Sequence, residues 1–201
     1  MLRELVFMTK SIDFYFDFIS PYSYLAHKKI KVFKQKGIYF NYKPILVGGL
    51  HNLQGITAPA FNKPKLNHMI QDCILFAKKD NFDFIWNSNF PINSLYLMRG
   101  YLVVETKLKK KFFDTCFNAY WKDNINILEE KNIENILKDC SIEKNFFLES
   151  IKSSIIKDEL KQLTSNAFKK DIFGAPTFVV NNKIFWGQDR LDYALDEYNF
   201  K

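Results

Sequence analysis

Arginine and cysteine are both scarce in this chain. Only Arg3, Arg99 and Arg190 represent arginine, and the net charge of +7 comes from lysines mixed with acidic residues throughout. Bidentate recognition of phosphates and base edges favours arginine, and no basic stripe runs along the sequence, so no nucleic-acid partner is expected. The positive balance instead suits an anionic ligand. Cys73, Cys116 and Cys140 are far apart, form no CxxC pair and are odd in number. That argues against a disulfide scaffold and points to a reducing, cytoplasmic setting. The three histidines, His27, His51 and His68, have no HxH or HExxH spacing, so no metal site is expected. No stretch approaches the roughly 18–20 apolar residues of a membrane span. The opening MLRELVFMTKS carries one short apolar patch before a lysine, too little for the apolar centre of a signal peptide.

What the chain has in quantity is aromatic side chains. Hydrophobic residues make up 47% and aromatics 17%, with 21 phenylalanines, which excludes disorder and supplies a core. At 201 residues, one domain or two can be accommodated.

Residues 12–19, IDFYFDFI, read as a strand that Ser20-Pro21 breaks. Helical spacing resumes from Tyr22 to Lys36, and Gly37 is placed to end the helix as a C′ glycine. Residues 38–46 form a second strand, so the start is a βαβ unit with parallel strands. Residues 48–64, with three glycines and two prolines, read as a long loop of the kind that is usually functional. From Asn67 to Lys170 the spacing is helical with short interruptions, and KLKKK at 107–111 is a solvated helix face. Thr177–Val180 and Lys183–Trp186 form a hairpin around Asn181-Asn182, and Asp189 is a candidate N-cap for a last helix. The two ends of the chain together complete one four-stranded sheet with helices on both sides. The expected fold is therefore α/β, with residues 1–61 and 169–201 forming one domain and 62–168 a large all-helical insertion.

Function is sought first around Ser20. A strand, a turn and a helix N-terminus aim free backbone N–H groups at one spot, where a negative group is stabilised.

Three stretches carry a family resemblance: FDFISPYSYLA at 16–26, FPINSLYLMR at 90–99 and FGAPTFVVNNKIFWGQDRLD at 173–192. They resemble the 2-hydroxychromene-2-carboxylate isomerase family, within the DsbA-like thioredoxin superfamily and close to the kappa-class glutathione transferases. The resemblance implies a thioredoxin-like domain with a helical insertion, glutathione as cofactor and a homodimer. Ser20-Pro21-Tyr22-Ser23 then stands where redox relatives carry a CxxC dithiol. With both sulfurs replaced by hydroxyls, disulfide exchange is excluded.

By this resemblance Ser20 is the catalytic residue, donating a hydrogen bond to the glutathione sulfur and favouring its thiolate; a plain N-cap is the alternative. Pro176 matches the family's cis-proline, and Ala175 before it pairs with the cysteinyl backbone. Gln188 and Asp189 meet the γ-glutamyl end. Lys65 faces the glycine carboxylate, and Asp72 the γ-glutamyl ammonium, within the subunit or across an interface. Asn93 either orients a substrate oxygen or caps its helix, and Arg99 either pairs with a carboxylate or stays on the surface. His51 and His68 read as surface or supporting residues. Ile56 stands where transferase relatives often have asparagine, so the substrate wall differs.

The implied activity is glutathione-dependent isomerisation of 2-hydroxychromene-2-carboxylate-like aromatic keto acids by reversible thiolate addition. A kappa-like transferase or peroxidase acting on a small electrophile, and a non-catalytic thiol-peptide-binding protein, are the alternatives. No membrane partner is expected.

Overall fold

The computed structural model describes residues 10–34 and 37–199. The short N-terminal apolar patch and the predicted helix end at 35–36 lie outside the described residues.

Alternation of large apolar side chains organises the sheet. On β1 (Ile12–Phe16), Ile12, Phe14 and Phe16 are fully buried on one face, while Asp13 and Tyr15 point to the other. β1 pairs in parallel with β2 (Phe40–Pro44), and α1 (Pro21–Lys34) makes the crossover between them. Gly37, at φ 82°, closes that helix, its N–H donating to the Lys34 carbonyl and that of Ile38 to Phe33. β3 (Thr177–Val180) pairs antiparallel with the other edge of β1, and β4 (Lys183–Trp186) with β3. The strand order is β2-β1-β3-β4. Asn181 and Asn182 both take positive φ in the two-residue turn, as the hairpin requires.

The strands are shorter than expected because β1 stops at Phe16 and residues 17–20 form a turn. The segment read as a loop over 48–64 is a second correction. It contains α2 (Val47–Gln54), a 3-10 turn at Pro59–Phe61 and the start of α3 (Lys63–Lys79). Two glycines in the first turn of α2 weaken its intrinsic propensity. A tertiary contact holds it from its N-terminus instead, as described below. Further helices follow: α4 (Leu95–Val103), α5 (Thr106–Trp121), α6 (Glu130–Asp139), α7 (Lys144–Ser150), α8 (Ser154–Phe168) and, after β4, α9 (Leu191–Asn199). The last helix is led in by a 3-10 turn at Gln188–Arg190 capped by Gly187. Asp189 is therefore not the predicted N-cap; it sits inside the turn, exposed and paired with Arg190 at 3.6 Å. Among the described residues, no helix is long and apolar enough to cross a membrane.

The face of β1 carrying Phe14 and Phe16 looks into an aromatic core continuous with the helices. Phe16 meets Phe113 at 4.6 Å and Tyr101 at 5.1 Å, and Phe18 meets Phe117 at 5.0 Å, mostly edge to face. The opposite face is covered by α2 and α8, through Tyr15, Ile45, Leu50 and Ala167.

His27 of α1 is buried in this core against Phe113 and Phe117. Its Nε2 lies 2.6 Å from Asp114 and its Nδ1 3.0 Å from the Tyr42 hydroxyl. One neutral tautomer satisfies both, donating from Nε2 and accepting at Nδ1. Burial lowers the His27 pKa to about 4, outweighing the pull of Asp114. Burial acts to raise Asp114, but hydrogen bonds from His27 and Lys31 hold it at about 2. Because the folded pKa of His27 lies below its ordinary value of 6.5, the unfolded chain takes the proton first. The contribution of His27 to stability is thus constant above the ordinary value and falls as pH drops towards 4, by up to roughly 3 kcal/mol at 1.36 kcal/mol per pKa unit. Urea unfolding of the wild type and His27→Gln across this range is expected to show that loss only in the wild type.

Candidate active site

The turn after β1 determines where Ser20 sits, and hydrogen bonds to the turn itself and to two helices hold its backbone. Phe18 N–H faces the Met98 sulfur at 3.5 Å, and the Phe18 carbonyl accepts from Trp121 Nε1 at 2.9 Å. Ser20 N–H donates to the Asp17 carbonyl at 3.0 Å.

The Asp17 side chain is buried and links three elements. Its Oδ1 accepts from Ile19 N–H at 3.2 Å and its Oδ2 from Val47 N–H, the first residue of α2, at 2.9 Å. The Ser94 hydroxyl, at the start of α4, donates to it as well. Burial raises the Asp17 pKa against the pull of these donors.

Ser20 caps α1. Its Oγ accepts from Ser23 N–H at 3.1 Å, the N3 position, and its carbonyl accepts from Tyr24 N–H. Its hydroxyl proton is donated to the Ala175 carbonyl at 2.9 Å, across 155 residues of sequence. The Ala175-Pro176 bond is cis. Ser20 is thus both an N-cap and the contact between α1 and the Pro176 loop. The first turn of α1 carries no acidic residue, so its positive end is not neutralised within the helix. A Cβ at Gly174 would lie 2.6 Å from Trp186 Nε1, so glycine lets the indole pack on this loop.

Asp72 of α3 reaches the same corner, accepting from the Tyr22 hydroxyl at 2.8 Å. Burial, reinforced by Cys73 and Asp72, raises the Tyr22 pKa, so the phenol stays a donor. Gln188 packs with its turn against α1 and is 2% exposed, yet neither its Nε2 nor its Oε1 has a protein partner. Ser23 Oγ, fully buried, has none either.

The other sequence-predicted positions are not tied to Ser20 by any hydrogen bond among the described residues. Lys65 is exposed on the first turn of α3, and His68 is exposed one turn further along. Asn93 is exposed and its Oδ1 accepts from the N–H of Leu95, the first residue of α4, at 3.0 Å, from one position before the N-cap Ser94. Arg99 is half-buried with Nε unpartnered, and His51 is half-buried, its pKa lowered by burial. Ile56 is exposed beyond the end of α2.

Asp17, Tyr22, Ser23 and Ser94 were not singled out individually from the sequence, although Asp17 precedes Ser20 by one turn. The three cysteines are free and buried, and burial raises the pKa of each. No cluster of three or more histidine, cysteine or acidic residues among the described residues could hold a metal ion.

A four-stranded sheet, a helix N-terminus bearing a serine and a cis-proline loop facing it define a thioredoxin-type site with hydroxyls in place of thiols. The chain belongs to the DSBA-like thioredoxin domain family, whose model matches residues 11–199. It is 28% identical over 194 residues to 2-hydroxychromene-2-carboxylate isomerase of Sphingobium xenophagum, covering 95% of this chain and 98% of that one. It is 21% identical over 205 residues to glutathione S-transferase kappa 1 of Rattus norvegicus, covering 92% and 91%. The solved structure of selenomethionine 2-hydroxychromene-2-carboxylate isomerase matches with a TM-score of 0.84 at 24% identity, over 92% of each chain. The resemblance read from three motifs therefore extends along nearly the whole chain.

Asp17→Ala strands buried donors at about 1–3 kcal/mol each and is expected to lower the unfolding free energy by about 2 kcal/mol or more. Asp17→Asn keeps one acceptor oxygen and should lose less, as urea midpoints of the two variants will show.

Proposed function

We propose that this protein is a glutathione-dependent isomerase of 2-hydroxychromene-2-carboxylate-like aromatic keto acids. The observation that carries the reading is the Ser20 hydroxyl, lodged between the positive end of α1 and the Ala175 carbonyl. The residues fit a bound glutathione: the buried Gln188 amide and Ser23 hydroxyl have hydrogen-bonding capacity that no protein group uses. The relatives' names support the same class of chemistry.

When bound, glutathione would supply a thiolate nucleophile capable of reversible addition to a conjugated double bond. The chain's own residues prepare and hold that group. Ser20 donates to the sulfur and α1 contributes its positive end, both favouring the ionised form. The proton lost on ionisation of the thiol would pass to solvent. The Ala175 backbone and Gln188 hold the peptide. Asp72, with its carboxylate already facing a donor in Tyr22, receives the ammonium, and Lys65 and Asp189 provide the outer charges. Asn93 orients a substrate oxygen. The reading includes a cytoplasmic homodimer; the exposed Ile74 and Leu75 on α3 and Phe61 just before it support the dimer.

Calorimetric titration of reduced glutathione, with thiolate absorbance near 240 nm, tests this in wild type, Ser20→Ala and Ser20→Gly. Glycine is a tolerable N-cap, costing a few tenths of a kcal/mol, so it removes the hydroxyl with little structural loss. Saturable binding with a thiolate signal lost in both variants is expected. No binding up to roughly 10 mM, weaker than about 3 kcal/mol, would sink the reading. Turnover of chromene carboxylates without consumption of glutathione separates isomerisation from conjugation.

A further inference from the structure

Each carbonyl of the Pro176 loop has a donor. Phe173 O accepts from Gln54 Nε2 at 2.9 Å, Gly174 O from the Thr177 hydroxyl at 2.7 Å and Pro176 O from Gly187 N–H at 2.9 Å. Ala175 O accepts from Ser20 Oγ at 2.9 Å. Three of these donors are structural, since they fasten α2, the loop itself and β4. The fourth is the very hydroxyl that the function above requires for a sulfur.

A serine hydroxyl has one proton to donate. While that proton lies on Ala175 O, Ser20 cannot also donate to a ligand. Releasing it leaves a half-buried carbonyl without a partner, which is unfavourable unless another donor arrives. The cap does not oppose release, because Ser23 N–H is accepted by an oxygen lone pair and survives rotation of the proton about Cβ–Oγ.

We propose that the Ala175 carbonyl is a specificity gate: Ser20 is released to activate a thiol only when the thiol is carried by a peptide whose own N–H takes over Ala175 O. The inference rests on the glutathione reading above and narrows it. A peptide thiol replaces the donor on Ala175 O and frees Ser20 for its sulfur, so the carbonyl keeps its one hydrogen bond and the sulfur gains one. A simple thiol such as 2-mercaptoethanol gains Ser20 only by stranding the carbonyl. The site therefore selects its thiol by the backbone next to the sulfur, and selects it at ionisation as well as at binding.

The test compares glutathione with its isostere in which the γ-glutamyl amide N–H is replaced by an ester oxygen. Calorimetry gives affinity, and absorbance near 240 nm against pH gives the bound thiol pKa, read as its shift from each free ligand. For glutathione the shift is expected to be downward and to disappear in Ser20→Gly. The ester is expected to saturate more weakly, with its thiol titrating in the wild type as it does in Ser20→Gly. An ester thiol lowered as far as that of glutathione would overturn the gate. So would an ester that fails to bind at all, since the carbonyl would then be an affinity anchor only. If glutathione itself does not saturate, the underlying reading fails and the gate with it.

Discussion

The arrangement around Ser20 depends on one buried carboxyl. Asp17 opens the turn after the first strand and, from there, receives the first N–H of α2, an N–H of its own turn and the Ser94 hydroxyl at the head of α4. A buried carboxyl is unfavourable without such donors, so the donors are fixed in number and direction once it is placed. The turn that carries Ser20 is thereby fixed to three helices, α1, α2 and α4. Trp121 adds a fourth, α5, by donating to Phe18 O. The hydroxyl is presented at a defined point because its backbone has little freedom to move.

The phenylalanine richness serves the same end. Phe16 and Phe18 flank Asp17, and both are packed edge to face against rings from the helical region. Packing on this scale resists displacement in every direction, and it leaves little room for polar groups. Among the polar groups that do enter, His27 is accommodated as a neutral ring with one donor and one acceptor bond.

The strand, turn and helix around Ser20 were legible because an aromatic run broken by Ser20-Pro21 has few other readings, and the terminal hairpin was legible from its asparagine pair. Helix α2 was not. Val47-Gly48-Gly49 is a poor helix start by propensity, and what holds it is Asp17, 30 residues earlier. The donation from Ser20 to Ala175 was equally out of reach, since a side chain bonding across 155 residues leaves no local pattern. Asp189 illustrates the opposite error: an acidic residue before a helix looks like a cap, but a glycine at φ 113° makes the turn and leaves the carboxylate outside. The unpartnered amide of Gln188 belongs to the same class, because burial of a polar side chain is decided by what packs over it.

The state of the three sulfurs has a consequence for durability. Oxidants attack the thiolate, and Cys73, Cys116 and Cys140 are each buried and pushed towards the protonated form. The positions nearest the helix N-terminus, Ser20 and Ser23, have no sulfur to lose. The Ser20 site therefore has no thiol of its own that a change in thiol-disulfide poise could switch, as it would switch a dithiol site on the same scaffold. Whatever it does with a ligand's sulfur, the redox memory stays with the ligand.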